Sequence, residues 1–333
     1  RALWRSQLTP HLYTLFWSLS LYDIHVPRAQ YDAHVKKLHA DVRALADNRE
    51  LTDAKRTRER ERLTRHIEEL GADLAAQQAH VDDVHERVRA ARHRLCAPLG
   101  KHKKQHALLQ HCLLPRMLAS ELDALYCYRF VMLLHALDVP RFSTLRVIAD
   151  VPLVLSNVVH CVTSAEAARF GRFAAHVFRT VHEWHAEPRD YVAQCQRRLG
   201  SYTKANNDGA RLSYDDFVRA SLQWRRNFAM AAKHCLRSGE YTQTRNALVV
   251  LSKMAAVFPR VDKIAKPIAD AVKVLVDTEE RTDLKVMATS YYTMLQQAKS
   301  NLLTEAEYSA NTTEAKRKAV AAAAAPQPVA VAV

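Results

Sequence analysis

The residues with the clearest potential for chemistry in this chain of 333 residues are cations that follow one another near position 90. The segment 87–120 contains no Asp or Glu, and four histidines accompany its cations (His93, His102, His106 and His111). The cations are Arg87, Arg89, Arg92, Arg94, Lys101, Lys103, Lys104 and Arg116. A basic helix face of this kind binds phosphates without sequence preference, and its affinity falls as salt rises. The seven cations from Arg87 to Lys104 are therefore predicted to form an RNA or DNA interface, and a solvated helix end or an acidic protein partner is the alternative.

A second pattern invites a metal-site interpretation. His182 and His185 are three positions apart and would share one face of a helix. The sequence around them is not HExxH, however, and no third ligand is apparent. The chain also lacks GxSxG and DxD motifs. We therefore expect no metal site, no cofactor, no catalytic residue and no small-molecule substrate, which makes the chain a non-enzyme.

Composition narrows the class of protein further. The 49 Lys and Arg against 35 Asp and Glu give a net charge of +14, which suits an acidic partner. The 6 glycines are too few for the positive-φ turns of nucleotide-binding α/β enzymes. The longest apolar run, residues 151–162, is interrupted by polar residues and is too short to span a membrane, so we expect no membrane partner. The six cysteines form no CxxC pair, which is typical of reduced thiols in a nucleocytoplasmic protein.

The elements that must position these residues are predicted to be helices. Helix-capping patterns occur at Ser120-x-x-Asp123, Thr163-x-x-Glu166 and Ser213-x-x-Asp216, and Pro188 suits the first position of a helix. Proline elsewhere is read as a breaker: Pro115 is expected to end a helix over 101–114, and the helix after Pro140 is expected at about 150–161. The predicted fold class is all-α.

Residues 28–106 are predicted to form a charged, coiled-coil-like hairpin of two long helices. Their apolar positions recur at heptad spacing, and the turn is expected near residues 47–53. The heptad positions are Leu38, Val42 and Leu45, then Leu63, Ile67, Leu70, Leu74, Val81, Val84, Val88 and Leu95, with Gln77 and Ala91 in the two remaining places. A single rod of about 100 Å is the alternative.

The rest of the chain is divided by the same reasoning. Residues 1–27 are expected to be an initial helix that continues an N-terminal solenoid, and residues 107–303 an α-solenoid of stacked helix pairs from which the hairpin protrudes. No side-chain pattern recurs along it, so no named repeat class is assigned. Residues 304–333 are expected to be a low-complexity, disordered tail.

Six collinear stretches of this sequence resemble the conserved C-terminal domain of the THO complex subunit 2 family. They are LTPHLYTLFWSLSLYDIHVP (8–27), QHCLLPRMLASELDALYCYRFV (110–131), PRFSTL (140–145), ARFGRFAAHVFRTVHEWH (168–185), LSYDDFVRASLQWRRNFA (212–229) and HCLRSGEYTQTRNALVVLSKMAAVFPRV (234–261). Chance supplies one such match but not six in order. The hairpin matches only in character, and the tail departs from the pattern, since only Lys316, Arg317 and Lys318 precede its Ala/Val/Pro run.

The resemblance implies a scaffold in the nuclear THO complex, part of the TREX assembly that couples transcription to mRNA processing and export. It implies as partners the other THO subunits, a DEAD-box RNA-dependent ATPase and an RNA-binding export adaptor. Two rival hypotheses are a module that binds RNA or an RNA–DNA hybrid through the basic hairpin, and a generic helical-repeat adaptor.

Overall fold

The computed structural model describes residues 8–47, 52–96, 107–201 and 211–309. Within these ranges the chain forms helices and no strand, which confirms the all-α prediction. The helices are α1 (Pro10–Ser18), α2 (Leu21–Ile24), α3 (Arg28–Asp47), α4 (Asp53–Leu95), α5 (Leu114–Met117), α6 (Glu121–Ala136), α7 (Thr144–Val158), α8 (Ser164–Ala186), α9 (Pro188–Tyr191), α10 (Tyr214–Leu236), α11 (Tyr241–Met254), α12 (Asp262–Thr278) and α13 (Thr282–Ala298). The chain divides into two compact units, Ser18–Ala91 and the remainder.

The smaller unit contains the predicted hairpin. The Arg28 guanidinium of α3 donates to Gln78 Oε1 of α4 at 2.7 Å, and further along α3 the ring of His34 lies 5.7 Å from that of His66. Residues nearer the end of α3 therefore contact residues nearer the start of α4, so the two helices are antiparallel. The single-rod alternative is wrong, and the turn at 48–51 lies outside the described residues.

The heptad positions of α4 form its buried or half-buried stripe. Val81, Val84 and Val88 are the most enclosed of them in this unit, each no more than 4% exposed. Gln77 is the polar exception in the stripe and is 5% exposed. Its amide is satisfied from both sides: Nε2 donates to the carbonyl of His25 at 3.2 Å, and Oε1 accepts from the Tyr31 hydroxyl at 3.3 Å. A paired amide is tolerated where an unpaired one would destabilise the hairpin.

The larger unit is a stack of packed helices around an aromatic-rich core. Helix α8 packs on α6 and α11, α10 packs on α7 and α12, and α12 packs on α13. The three predicted capping patterns are present: the hydroxyls of Ser120, Thr163 and Ser213 each accept from the backbone N–H three residues on. Local side-chain to backbone bonds of this kind fix where α6, α8 and α10 begin.

The prolines do not break helices where the sequence analysis expected. Pro115 lies inside a continuous helical run, directly after a π-helical turn over Leu109–Leu113. A proline ring collides with the carbonyl four residues earlier in an ordinary α-helix, and the wider π turn moves that carbonyl away. Helix α7 likewise begins at Thr144 rather than near Asp150, capped by Ser143, with Pro152 in its interior.

The packed unit reaches past the boundary predicted at residue 303. Thr304 and Glu307 form a capping box in which the backbone N–H of Thr304 donates to the Glu307 carboxylate at 2.7 Å. Tyr308, in the helical turn 305–309, is 1% exposed. Residues 304–309 are therefore part of the fold, and the rest of the predicted tail lies outside the described residues.

Candidate functional site

The four arginines of the predicted phosphate-binding cluster lie in the last turns of α4. Arg87 makes an exposed ion pair with Asp83 at 3.1 Å, and Arg92 Nε donates to the imidazole of His93 at 3.3 Å. Arg89 and Arg94 are exposed and make no ion pair with a described residue. The three lysines of the cluster, Lys101, Lys103 and Lys104, lie outside the described residues.

The four arginines occupy two rows rather than one face. Arg87 and Arg94 are seven residues apart and share a face, whereas Arg89 and Arg92 are three apart and lie on another. The stripe marked by Val88, 2% exposed, runs between the two rows. A phosphate backbone that follows one row would therefore meet only two of the four arginines. In the row of Arg87 and Arg94, Arg87 already has a carboxylate partner.

Arg116, the last cation of segment 87–120, is turned away from solvent. Its guanidinium lies 3.6 Å from the centroid of the Tyr126 ring, donates to the carbonyl of Phe16 at 2.6 Å and pairs with Asp123 at 2.9 Å. It ties α1 to α6 instead of extending the basic surface, which corrects the sequence-based grouping.

His182 and His185 are each committed to a protein partner. His182 Nε2 accepts from the Arg260 guanidinium at 3.0 Å, and His185 Nε2 donates to the carbonyl of Tyr308 at 2.9 Å. Burial, together with the nearby Arg225 and Arg260 charges, lowers the pKa of His182 to about 4. Burial and Arg225 lower the pKa of His185 to about 4 as well. Both rings are neutral packing groups, and no cluster of potential metal ligands occurs in the described part of the chain.

A buried polar cluster that was not predicted surrounds Arg225, which is 0% exposed. Its guanidinium donates to the carbonyl of Val257 and to the hydroxyl of Tyr308, each at 3.2 Å. The same Tyr308 hydroxyl bonds Ser221 Oγ at 2.9 Å, and its ring stacks on His185 at 3.8 Å. One signal was available: Arg225 follows Ser221 by four positions and precedes Phe228 by three, which places it on the apolar stripe of α10.

The aromatic residues of the first helices divide between core and surface. Phe16 is fully buried and packs on Phe130 at a centroid distance of 5.0 Å. Trp17 and Tyr22 are 42% and 54% exposed. These two residues are the outward-facing aromatic side chains of the first two helices. Exposed Trp and Tyr side chains are frequent anchors in protein interfaces.

The fold and these surfaces define a class: an all-helical domain with a charged hairpin, whose conspicuous surface groups are suited to binding. No described helix is long and apolar enough to cross a bilayer. The model of the family Tho2, described as "Transcription factor/nuclear export subunit protein 2", matches residues 5–295. The chain belongs to this family.

Individual relatives agree with that assignment. The chain is 33% identical to "THO complex subunit 2" of Homo sapiens over 315 residues, which cover 90% of this chain and 20% of that protein. It is 33% identical to the Arabidopsis thaliana protein of the same name over 94% of this chain and 17% of that protein. The Saccharomyces cerevisiae counterpart is 21% identical over 84% of this chain. The chain thus spans about a fifth of the length of the curated relatives it matches.

Proposed function

We propose that the chain is a scaffold domain of a THO complex, in which it holds other THO subunits together. In this proposal the complex acts in the nucleus, in mRNA processing and export. The scaffold also keeps a DEAD-box RNA-dependent ATPase and an RNA-binding export adaptor near the transcript, as in a TREX assembly. The observation that carries the proposal is the family match over most of the chain.

The physical form of the domain supports a positional role. Helix α8 packs on both α6 and α11. A Cβ added at Gly171 of α8 would lie 3.1 Å from the backbone of Val250 in α11, so the two helices are in close contact there. Densely packed helices transmit position with little deformation, which is what a scaffold requires.

The test is co-purification from cells that carry an epitope-tagged copy of the protein. Replacing residues 39–62 with a short Gly-Ser linker shortens the hairpin, keeps the His34–His66 contact and leaves residues 92–96 in place. We expect this variant to lose at least one THO subunit, whereas deletion of residues 319–333 retains them all. Full recovery of every subunit with the shortened hairpin would show that the hairpin does not hold other subunits.

A second candidate function is nucleic-acid binding through the end of α4. Arg89 and Arg94 favour it, because they are exposed and make no ion pair with a described residue. The sequence analysis assigned Lys101, Lys103 and Lys104 to the same candidate interface, and they lie outside the described residues. Lysine and arginine bind phosphates through charge, with release of counterions.

Charge reversal separates the two candidates. Arg89→Glu with Arg94→Glu should weaken crosslinking to RNA or DNA while leaving subunit recovery intact, if this surface is a nucleic-acid interface. The control is Arg219→Glu with Arg62→Glu, since both of these arginines are exposed and already paired with a nearby carboxylate. Equal crosslinking for all three proteins would exclude the α4 end as the contact.

A further inference from the structure

A groove of about 720 Å³ lies between α12 and α13 in the larger unit. Its more enclosed lining is apolar: Ala265 and Leu295 are 5% and 8% exposed, and Ala269 and Leu302 are half-buried. Its exposed lining is mainly charged. The charged residues are Lys263, Lys266, Lys273 and Lys299, with Asp262 and Asp270 between them.

Three of the four lysines of the groove make no ion pair with a described residue. Lys263 pairs with Glu305 at 3.6 Å. Lys266, Lys273 and Lys299 are exposed and make no ion pair within the ranges that the structure describes. Asp262 Oδ1 accepts the backbone N–H of Lys263 at 2.6 Å, and Asp270 makes no hydrogen bond or ion pair with a described residue. The groove therefore presents an excess of positive charge along an apolar floor.

We propose that the α12–α13 groove binds an acidic amphipathic helix of a partner protein. The inference rests on the proposed scaffold function and names a kind of partner for it. Lys266 and Lys273 are two turns apart on one face of α12, and Ala269 between them leaves room for an incoming apolar side chain. From Asp262 to Lys273 the groove runs about 16 Å, the length of a helix of three turns. Such a helix would place its apolar stripe on the floor and its carboxylates beside the lysines.

The same chemistry disfavours a nucleic acid in this groove. Nucleic-acid channels combine cations with several aromatic platforms, whereas the lining here includes one ring, Tyr292, which is half-buried. Asp262 and Asp270 would repel a phosphate backbone. The cations are all lysines, which are point charges and lack the bidentate fork of arginine.

The charge of the chain's own C-terminal segment also excludes it as the occupant. Residues 310–333 contain Lys316, Arg317 and Lys318 against a single carboxylate side chain, Glu314. A net positive segment would be repelled by Lys266, Lys273 and Lys299. Residues 310–333 are therefore not the proposed occupant.

Binding of a defined probe to the purified 333-residue chain tests the proposal. The probe is a fluorescent peptide of about four helical turns with Glu on one face and Leu on the other. A scrambled peptide of the same composition and a labelled oligouridylate are measured in parallel. We expect the patterned peptide to bind in preference to both. Lys266→Glu with Lys273→Glu should weaken its binding about tenfold or more.

The matched control is Lys253→Glu with Lys285→Glu, which makes the same charge change at exposed lysines outside the groove. Its affinity for the peptide should stay within about twofold of wild type. Ala269→Phe, which fills the groove without changing charge, should also weaken binding. Absence of peptide binding, equal weakening by the control pair, or preferential binding of the oligouridylate would overturn the proposal. This assay requires no THO subunit, so its failure is distinguishable from failure of the scaffold function.

Discussion

Individual side chains in this protein connect segments that are distant in the sequence. Arg116 reaches the carbonyl of Phe16, and Arg225 reaches Tyr308. The inward direction of Arg116 could not be predicted from the sequence, because it depends on an acceptor from another segment. For Arg225 one signal was present, its position on the apolar stripe of α10. Arg89 and Arg94 were predicted as surface cations, and for them the heptad pattern of α4 was sufficient.

Tyr308 should contribute strongly to the stability of the larger unit. Tyr308→Phe removes the hydroxyl that bonds Ser221 and Arg225 inside the core, and we expect a loss of about 1–2 kcal/mol in the free energy of unfolding. Tyr308→Ala should cost about 3–5 kcal/mol because it also leaves a cavity beside His185. Urea denaturation measures both. Tyr22→Phe, at an exposed tyrosine, should change stability by less than about 0.5 kcal/mol, and a similar small effect for Tyr308→Phe would contradict the role given to its hydroxyl.

Stability should fall as the solution is made mildly acidic. The pKa values of His182 and His185 are about 4 in the folded protein because of burial and the nearby arginines, against about 6.5 in an unfolded chain. Below pH of about 6.5 the unfolded chain binds protons that the folded chain excludes, so the free energy of unfolding decreases from there towards pH of about 4. Urea midpoints between neutral and acidic pH measure the slope. His182→Gln with His185→Gln should flatten it, and an unchanged slope would show that these rings do not carry the effect.

Helix starts were predictable from capping residues, whereas the continuation of a helix through a proline was not. The caps at Ser120, Thr163 and Ser213 were predictable because each is a bond across three residues. The run through Pro115 was not, because no sequence pattern indicated the π turn that precedes the proline. Sequence patterns therefore located most helix starts and misjudged two helix bounds where a proline is accommodated inside.

Replacement by alanine should change the free energy of unfolding in opposite directions at two glycines. Gly239, after the end of α10, has a φ of 77°, a conformation that a Cβ disfavours. Gly239→Ala should therefore reduce the free energy of unfolding by about 1 kcal/mol. Gly71 lies inside α4 with nothing within 4 Å of an added Cβ, so Gly71→Ala should stabilise the hairpin by about 0.5–1 kcal/mol. Circular dichroism during denaturation measures both, and changes of equal sign would contradict the backbone assignments.

At the scale of the whole molecule, the antiparallel pairing of α3 and α4 was predictable. The heptad pattern of α3 and α4 and the polar stretch between them indicated two antiparallel helices. The end of the packed unit was not predictable, because Tyr308 is held by His185, Ser221 and Arg225 rather than by its own neighbours. The α12–α13 groove was equally hidden, since two separate helices supply its lining.

The central claim is that this chain holds other subunits of a THO complex in place. Its most direct test is lysine-specific crosslinking and mass spectrometry of the purified complex, with the exposed lysines of the hairpin and of α12 as reporters. We predict reproducible crosslinks from these lysines to at least one other THO subunit. When residues 39–62 are replaced, crosslinks from Lys36 and Lys37, which the variant retains, should be lost as well. Crosslinks confined to the chain itself, in a complex that retains all its subunits, would contradict the scaffold function.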